Sequence, residues 1–153
     1  MIAQQEVDAR MERFREVCRN AGIKLTHQRM EIFREIAVST GHPDTETIYR
    51  SVRERVPTVS LDTVYRTLWL LTDLGLLNTL GSRQERVRFD ANTNPHHHFV
   101  CTKCGKTLDF YHDAFNALEV PDEVRELGQV LTSHVEVRGV CEQCKAQTAT
   151  IET

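Results

Sequence analysis

No run in this chain is long and apolar enough to cross a bilayer. Its amino terminus, MIAQQEVDARMERF, has no apolar core of signal-peptide length, so a cytoplasmic location is expected. There is no internal repeat and no low-complexity tract. Positive charge is not in excess either. The formal net charge is −3, so bulk charge alone does not mark a nucleic-acid binder. A His-Glu-x-x-His motif, which would pair zinc ligands with a general base, is also missing. Cysteine is scarce at five residues, yet four of the five fall into two matched pairs.

Those pairs are Cys101/Cys104 and Cys141/Cys144, each spaced Cys-x-x-Cys. Two tight turns with two thiolates each make a closed tetrahedral Zn²⁺ site. Two disulfides are the alternative, and the spacing favours zinc. A small domain buries little apolar surface, so a metal staple contributes much of its stability. In small zinc modules that contribution is on the order of 10 kcal/mol. Paired thiols at metal spacing also suit a reducing compartment. Cys18 stands apart in a helical segment and reads as a small packed apolar residue.

The 153 residues suit one larger domain or two small ones. Charge divides them unevenly: residues 1–90 hold 14 Lys+Arg against 13 Asp+Glu, and residues 91–153 hold 5 against 9. Helical periodicity predicts a helix over 8–21, ended by Gly22, and a second from an N-cap at Thr26 to about Val38, with Ile32, Phe33 and Ile36 inward. Asp44 is expected to cap a third helix that Pro57 stops. Ser60 opens a fourth, running to about Leu74, with Leu61, Val64, Leu68 and Leu71 as its apolar stripe. A hairpin follows, 76–80 with 85–89 around Gly81-Ser82. Helices followed by a hairpin make a winged helix-turn-helix over residues 1–90. The turn-rich 90–95 segment reads as the boundary. Beyond it, strands are expected over 98–101, 108–111 and 129–138, with a helix within 113–127, so the fold class is α+β.

Two constellations carry chemistry. The helix from Ser60 to Leu74 is the candidate reader of DNA, with Thr63, Tyr65 and Arg66 near its start. Arg forks onto guanine, and Tyr meets a thymine methyl or a phosphate. Lys24, His27 and Arg29, with Arg83, Arg86 and Arg88 of the hairpin, are candidates for phosphate contacts. The second constellation is His96-His97-His98. In a strand, His96 and His98 share a face and His97 points the other way. Asp90 lies upstream, Asp109 downstream, and His42 at the edge of the first domain. Imidazoles with carboxylates suit Fe²⁺, Mn²⁺ or Zn²⁺. His112 and His27 read as surface or packing residues.

Several strings together resemble the ferric uptake regulator family. They are Leu61-Asp62-Thr63-Val64-Tyr65-Arg66-Thr67-Leu68, Arg88-Phe89-Asp90, His96-His97-His98-Phe99-Val100-Cys101-Thr102-Lys103-Cys104-Gly105-Lys106 and Gly139-Val140-Cys141-Glu142-Gln143-Cys144. The resemblance runs in order from about residue 10 to 145. It implies a homodimeric, metal-dependent repressor of palindromic operator DNA. Residues 1–90 would be its winged-helix domain and 91–153 a zinc-stapled α/β dimerisation and metal-sensing domain. Cys101, Cys104, Cys141 and Cys144 would hold structural zinc. His42, Asp90, His96, His98 and Asp109 would hold the regulatory Fe²⁺ or Mn²⁺.

Asp at positions 90 and 109, where iron-sensing members usually carry Glu, is similar to the peroxide-responsive branch. There, peroxide oxidises the histidine matching His42 or His96 and DNA is released. Iron- and zinc-uptake regulators are the alternatives within the family, and a zinc-dependent metalloenzyme is the alternative outside it. A further family metal site uses the middle histidine of the run. It would need His97 with His134, and His134 sits one place away from the usual position. One residue of slip on a strand reverses the face, so that pair is not expected to form a site.

Overall fold

Three side chains fix where three helices begin. Thr26 Oγ1 accepts the Arg29 N–H at 3.2 Å, Asp44 Oδ1 the Thr47 N–H at 2.8 Å, and Ser60 Oγ the Thr63 N–H at 3.1 Å. Each satisfies a backbone donor that the first helical turn leaves open. The structure is a computed structural model that describes residues 1–81 and 86–151. The helices are α1 (Gln4–Asn20), α2 (His27–Ala37), α3 (Thr45–Arg55) and α4 (Leu61–Asp73). Gly22 and Gly75, both at positive φ, follow the ends of α1 and α4.

The chain divides into two compact units, Met1–Thr93 and Asn94–Thr153. In the first, Val7, Met11, Phe14 and Cys18 recur at helical spacing along α1 and are buried. Phe14 stacks on Phe33 of α2 at 4.7 Å between ring centres. Ile32, Phe33 and Ile36 face inward with Val64, Leu68 and Leu71 of α4. Leu61 does not join that stripe. It is the first residue of α4, at the exposed end of the helix, and Thr67 takes an inward place instead. Burial raises the pKa of Cys18, the nearby Arg29 opposing, which fits a packed thiol.

The hairpin pairs β1 (Asn78–Leu80) with β2 (Arg88–Asp90), antiparallel, with Asn78 opposite Asp90. It is shorter than expected because Leu76 and Leu77 turn into the core. The Ser82 part of the expected turn, Arg83 and the start of the expected second strand lie outside the described residues. The chain before α3 extends the sheet: Phe89 N–H donates to Pro43 O at 3.0 Å, and Asp44 bridges to Arg88. Helices plus this small sheet form the winged helix-turn-helix.

The second unit is a three-stranded sheet in the order β4 (Thr107–Phe110), β3 (His97–Cys101), β5 (Glu136–Gly139). The β3–β4 pair is antiparallel and the β3–β5 pair parallel. Two expectations need correction. Residues 113–127 form two short turns, α5 (Asp113–Asn116) and α6 (Asp122–Arg125), because Pro121 cannot continue a helix and instead precedes the second turn. The long strand over 129–138 reduces to β5, since β3 is only five residues long and offers four partners. The helix α7 (Glu142–Ile151) carries no apolar periodicity that would have announced it. No helix among the described residues is long and apolar enough to cross a membrane.

Candidate metal centres and nucleic-acid interface

Strand register assembles the sulfur cluster. Cys101 ends β3 opposite Gly139 of β5, two residues before Cys141. A Cβ at Gly139 would crowd the Phe99 ring edge at 3.0 Å, so glycine there leaves room for that ring. Gly105, at φ 72°, closes the first knuckle, where its N–H donates to Cys101 O at 2.9 Å. All four Sγ atoms lie within 4.8 Å of one another, and Cys104 Sγ to Cys141 Sγ is 3.8 Å. Disulfide sulfurs sit about 2.05 Å apart. The edge of a ZnS₄ tetrahedron with bonds near 2.3 Å is about 3.8 Å. The cluster therefore suits structural zinc.

Its acidity agrees. Backbone N–H groups, those of Cys104 and then Cys141 foremost, lower the Cys101 pKa to about 6. Cys144 is pushed up to about 12, because its thiol donates to the neighbouring sulfurs of Cys104 and Cys141. Without a cation the cluster cannot carry four thiolates at once. Zinc supplies the charge that lets it.

The histidines behave differently from one another although they are adjacent. His97 is 2 % exposed and faces away from its neighbours' side of β3. Its Nδ1 accepts the Val135 N–H at 3.0 Å, so Nε2 carries the proton and donates to Asn116 Oδ1 at 2.8 Å. Both nitrogens are thus engaged, and the ring packs against Phe110 and Phe115. His134 does not meet it as a ligand pair. The His134 ring packs edge-on against His98, 5.5 Å between centres, and its pKa is lowered by burial and then by His98.

His96 is held by the carbonyl of Asn94, 2.7 Å from Nδ1. A carbonyl only accepts, so Nδ1 carries the proton and Nε2 is the nitrogen with a lone pair, the ring's ligand atom. Across the β3–β4 register, His98 sits opposite Asp109. Asp109 Oδ1 is 3.4 Å from His98 Nε2 and 3.8 Å from His96 Nε2. Two imidazoles and a carboxylate converge there, a donor set that suits Fe²⁺ or Mn²⁺.

The first unit holds its own imidazole–carboxylate pair. His42 Nε2 is 3.3 Å from Asp90 Oδ2, and both side chains are buried. Asp90 Oδ1 accepts the Asn92 N–H at 2.8 Å, which fixes the carboxylate. His42 adopts φ 49°, the one positive-φ residue other than glycine among those described. A non-glycine residue in that region is uncommon, and such strain gathers at functional positions.

On α4, Tyr65 is exposed and Arg66 pairs with Asp62 at 3.0 Å across one turn. That pair is open to water and stabilises by roughly 0.3–0.5 kcal/mol, so little holds Arg66 back from a phosphate or base. Thr63 is less free, because its Oγ1 accepts from Ser60 Oγ at 2.9 Å. Lys24 is exposed, and Arg29 Nη1 donates to Lys24 O at 2.7 Å, so Arg29 also holds the turn before α2. Asn94 and Asn116, which orient two histidines, were not singled out from sequence. Neither lies in a spacing pattern that marks a ligand.

Residues 20–146 match the model of the Ferric uptake regulator family. The chain is 33% identical over 149 residues to the peroxide-responsive repressor PerR of Staphylococcus epidermidis, covering 94% of this chain and 95% of that one. Among solved structures it resembles a zinc-bound manganese uptake regulator, with TM-score 0.63 and 30% identity over 83% of this chain and 97% of that one. It shares its fold with the Helicobacter pylori ferric uptake regulator Fur, at TM-score 0.70 and 22% identity over 95% and 97% of the two chains. Members of this family are dimeric transcriptional regulators and not enzymes, which sets the metalloenzyme reading aside. The chain belongs to the ferric uptake regulator family, as a metal-dependent DNA-binding regulator.

Proposed function

We propose that this protein is a repressor that senses peroxide through Fe²⁺, with Mn²⁺ as a non-reacting substitute. His42 and Asp90 would supply one half of the regulatory site, and His96, His98 and Asp109 the other. The observation that carries the reading is aspartate at both carboxylate positions, each 3.3–3.4 Å from an imidazole nitrogen. The likeness to a repressor of the same printed function supports it. Aspartate has a shorter reach than glutamate, so a shared ion would be drawn close to the imidazoles.

When ion-bound, His42 and Asp90 are tied to the histidines of the second unit, and the winged helices of a homodimer are held in one arrangement. That arrangement fits the two half-sites of a palindromic operator. Only a difference in ion affinity between the held and the loose arrangement can bias DNA binding, and operator tightens ion binding by the same factor. Thr63, Tyr65 and Arg66 would read the duplex, with Lys24 and Arg29 on the backbone. The four cysteines would keep the second unit folded throughout. Cysteines kept for zinc rather than joined as disulfides suit a cytoplasmic setting.

Fe²⁺ held by these residues would activate hydrogen peroxide, the two-electron oxidant, toward the imidazoles. His42 or His96 gains one oxygen atom from the peroxide at a ring carbon, and one water is released. An oxidised imidazole is a poorer ligand, so the two halves part and DNA is freed. The test is mass spectrometry after mild peroxide on Fe²⁺-loaded and Mn²⁺-loaded protein. One added oxygen is expected on the peptide holding His42 or on that holding His96, with Fe²⁺ only. Unmodified peptides in both samples would move the assignment to an iron- or zinc-uptake regulator.

A further inference from the structure

One carboxylate ties the wing to the start of α3. Asp44 follows His42-Pro43 directly and does three things. Its Oδ1 caps α3, its backbone bridges to Arg88 of β2, and its Oδ2 pairs with Arg86 Nε. The Asp44 side chain is 9 % exposed while that of Arg86 is 67 % exposed. The acid is thus anchored in the fold and the base stands out in water. Arg86 and Tyr65 line one shallow cavity of about 280 Å³ with Trp69 and Phe89, so the wing arginine and the reading helix face the same side. A guanidinium engaged through Nε still carries four N–H donors on its terminal nitrogens. These form the fork that matches a phosphate.

We propose that Asp44 is a positioning residue for DNA recognition, orienting Arg86 of the wing as a phosphate fork beside Tyr65. The proposal rests on the reading above that α4 and the wing meet DNA. An unheld arginine explores many rotamers and loses them on binding. Held by Asp44, it meets the duplex already oriented. Asp44 also needs Arg86: an uncovered carboxylate beside the reading helix would repel phosphates. The pair therefore works only as a pair. Because Asp44 is two residues beyond His42, the same short segment carries a proposed ion ligand and the wing's anchor.

The experiment is a double-mutant cycle on the full-length, Mn²⁺-loaded protein. The probe is a duplex that the wild type selects from a random pool. The variants are Asp44→Asn, Arg86→Ala and both together. Asparagine keeps the α3 cap, since its side-chain oxygen still accepts the Thr47 N–H. Asp44→Ser, another good cap, serves if the asparagine variant folds poorly. Each single variant is expected to lower affinity about tenfold and to reduce the slope of log K against log salt by about one. The double variant is expected to bind no worse than Arg86→Ala. Mn²⁺ affinity, followed by fluorescence of the single Trp69, is expected to be unchanged. Three results would overturn the proposal: an Asp44→Asn loss of equal size in the Arg86→Ala background, an unchanged salt slope, or tighter binding by Asp44→Asn. If Mn²⁺ leaves wild-type DNA binding unaltered, the metal-sensing reading fails, while the cycle on the same duplex still decides the Asp44–Arg86 link.

Discussion

The sulfur cluster and the His96–His98 pair begin within a few residues of each other in sequence, yet their donors suit opposite tasks. The four thiols come from two turns of one unit, pinned by the Cys101–Gly139 register and by backbone bonds between the knuckles. Their donors are soft, fill a tetrahedron and leave no place for a further ligand. The nitrogen and oxygen donors are fewer per cluster and harder. His42 pairs with Asp90 at 3.3 Å in one unit, and His98 with Asp109 at 3.4 Å in the other. Such a set binds more loosely and tolerates exchange. On the proposed reading, the contrast teaches that donor softness separates a permanent ion from a reporting one within one chain.

The comparison breaks first at the sulfurs. Cys101→Ser is expected to abolish structural zinc and unfold the second unit, since such an ion contributes on the order of 10 kcal/mol. Metal analysis with size-exclusion chromatography checks it, and a soluble, zinc-free dimer would contradict the assignment. A smaller effect is expected at the reporting group. His42→Ala should keep zinc and dimer intact but lose at least about tenfold in Mn²⁺-activated operator affinity, about 1.4 kcal/mol. Normal operator binding by that variant with Mn²⁺ present would remove His42 from the coupling.

The third expectation sharpens the sulfur side by protection. With zinc bound, the four thiols should resist iodoacetamide, because the metal holds their lone pairs. Stripping zinc should expose all four together, as the second unit loses its staple. Peptide mapping of a timed reaction with and without a chelator measures it, and thiols that alkylate equally fast with zinc bound would deny the site.

Much of this was legible without coordinates, and the reason is local. Thr26, Asp44 and Ser60 announce helix starts because a cap acts on a backbone N–H three residues away. Gly22 and Gly75 announce ends because positive φ is a property of one residue. The alternation that separates His97 from His96 and His98 follows from strand geometry alone. One miss was local: residues 113–127 carry enough apolar side chains to suggest one helix, but Pro121, plain in the sequence, divides them. The rest depended on partners. The strand expected over 129–138 is cut short because β3 offers so few partners. Leu61 obeys the apolar period of α4 and is still 48 % exposed, since the core does not extend to the first turn.

Spacing by itself determined that two Cys-x-x-Cys knuckles would want a soft ion and that imidazoles and carboxylates would gather near them. Those are properties of side-chain chemistry and of a few consecutive peptide units. Only the tertiary structure decided that Asn94 takes the His96 Nδ1 proton, that His97 is occupied by Asn116 and Val135, and that Asp44 serves a helix and a wing arginine at once. A hydrogen bond between distant residues depends on where the fold carries both partners, and no local pattern encodes that meeting.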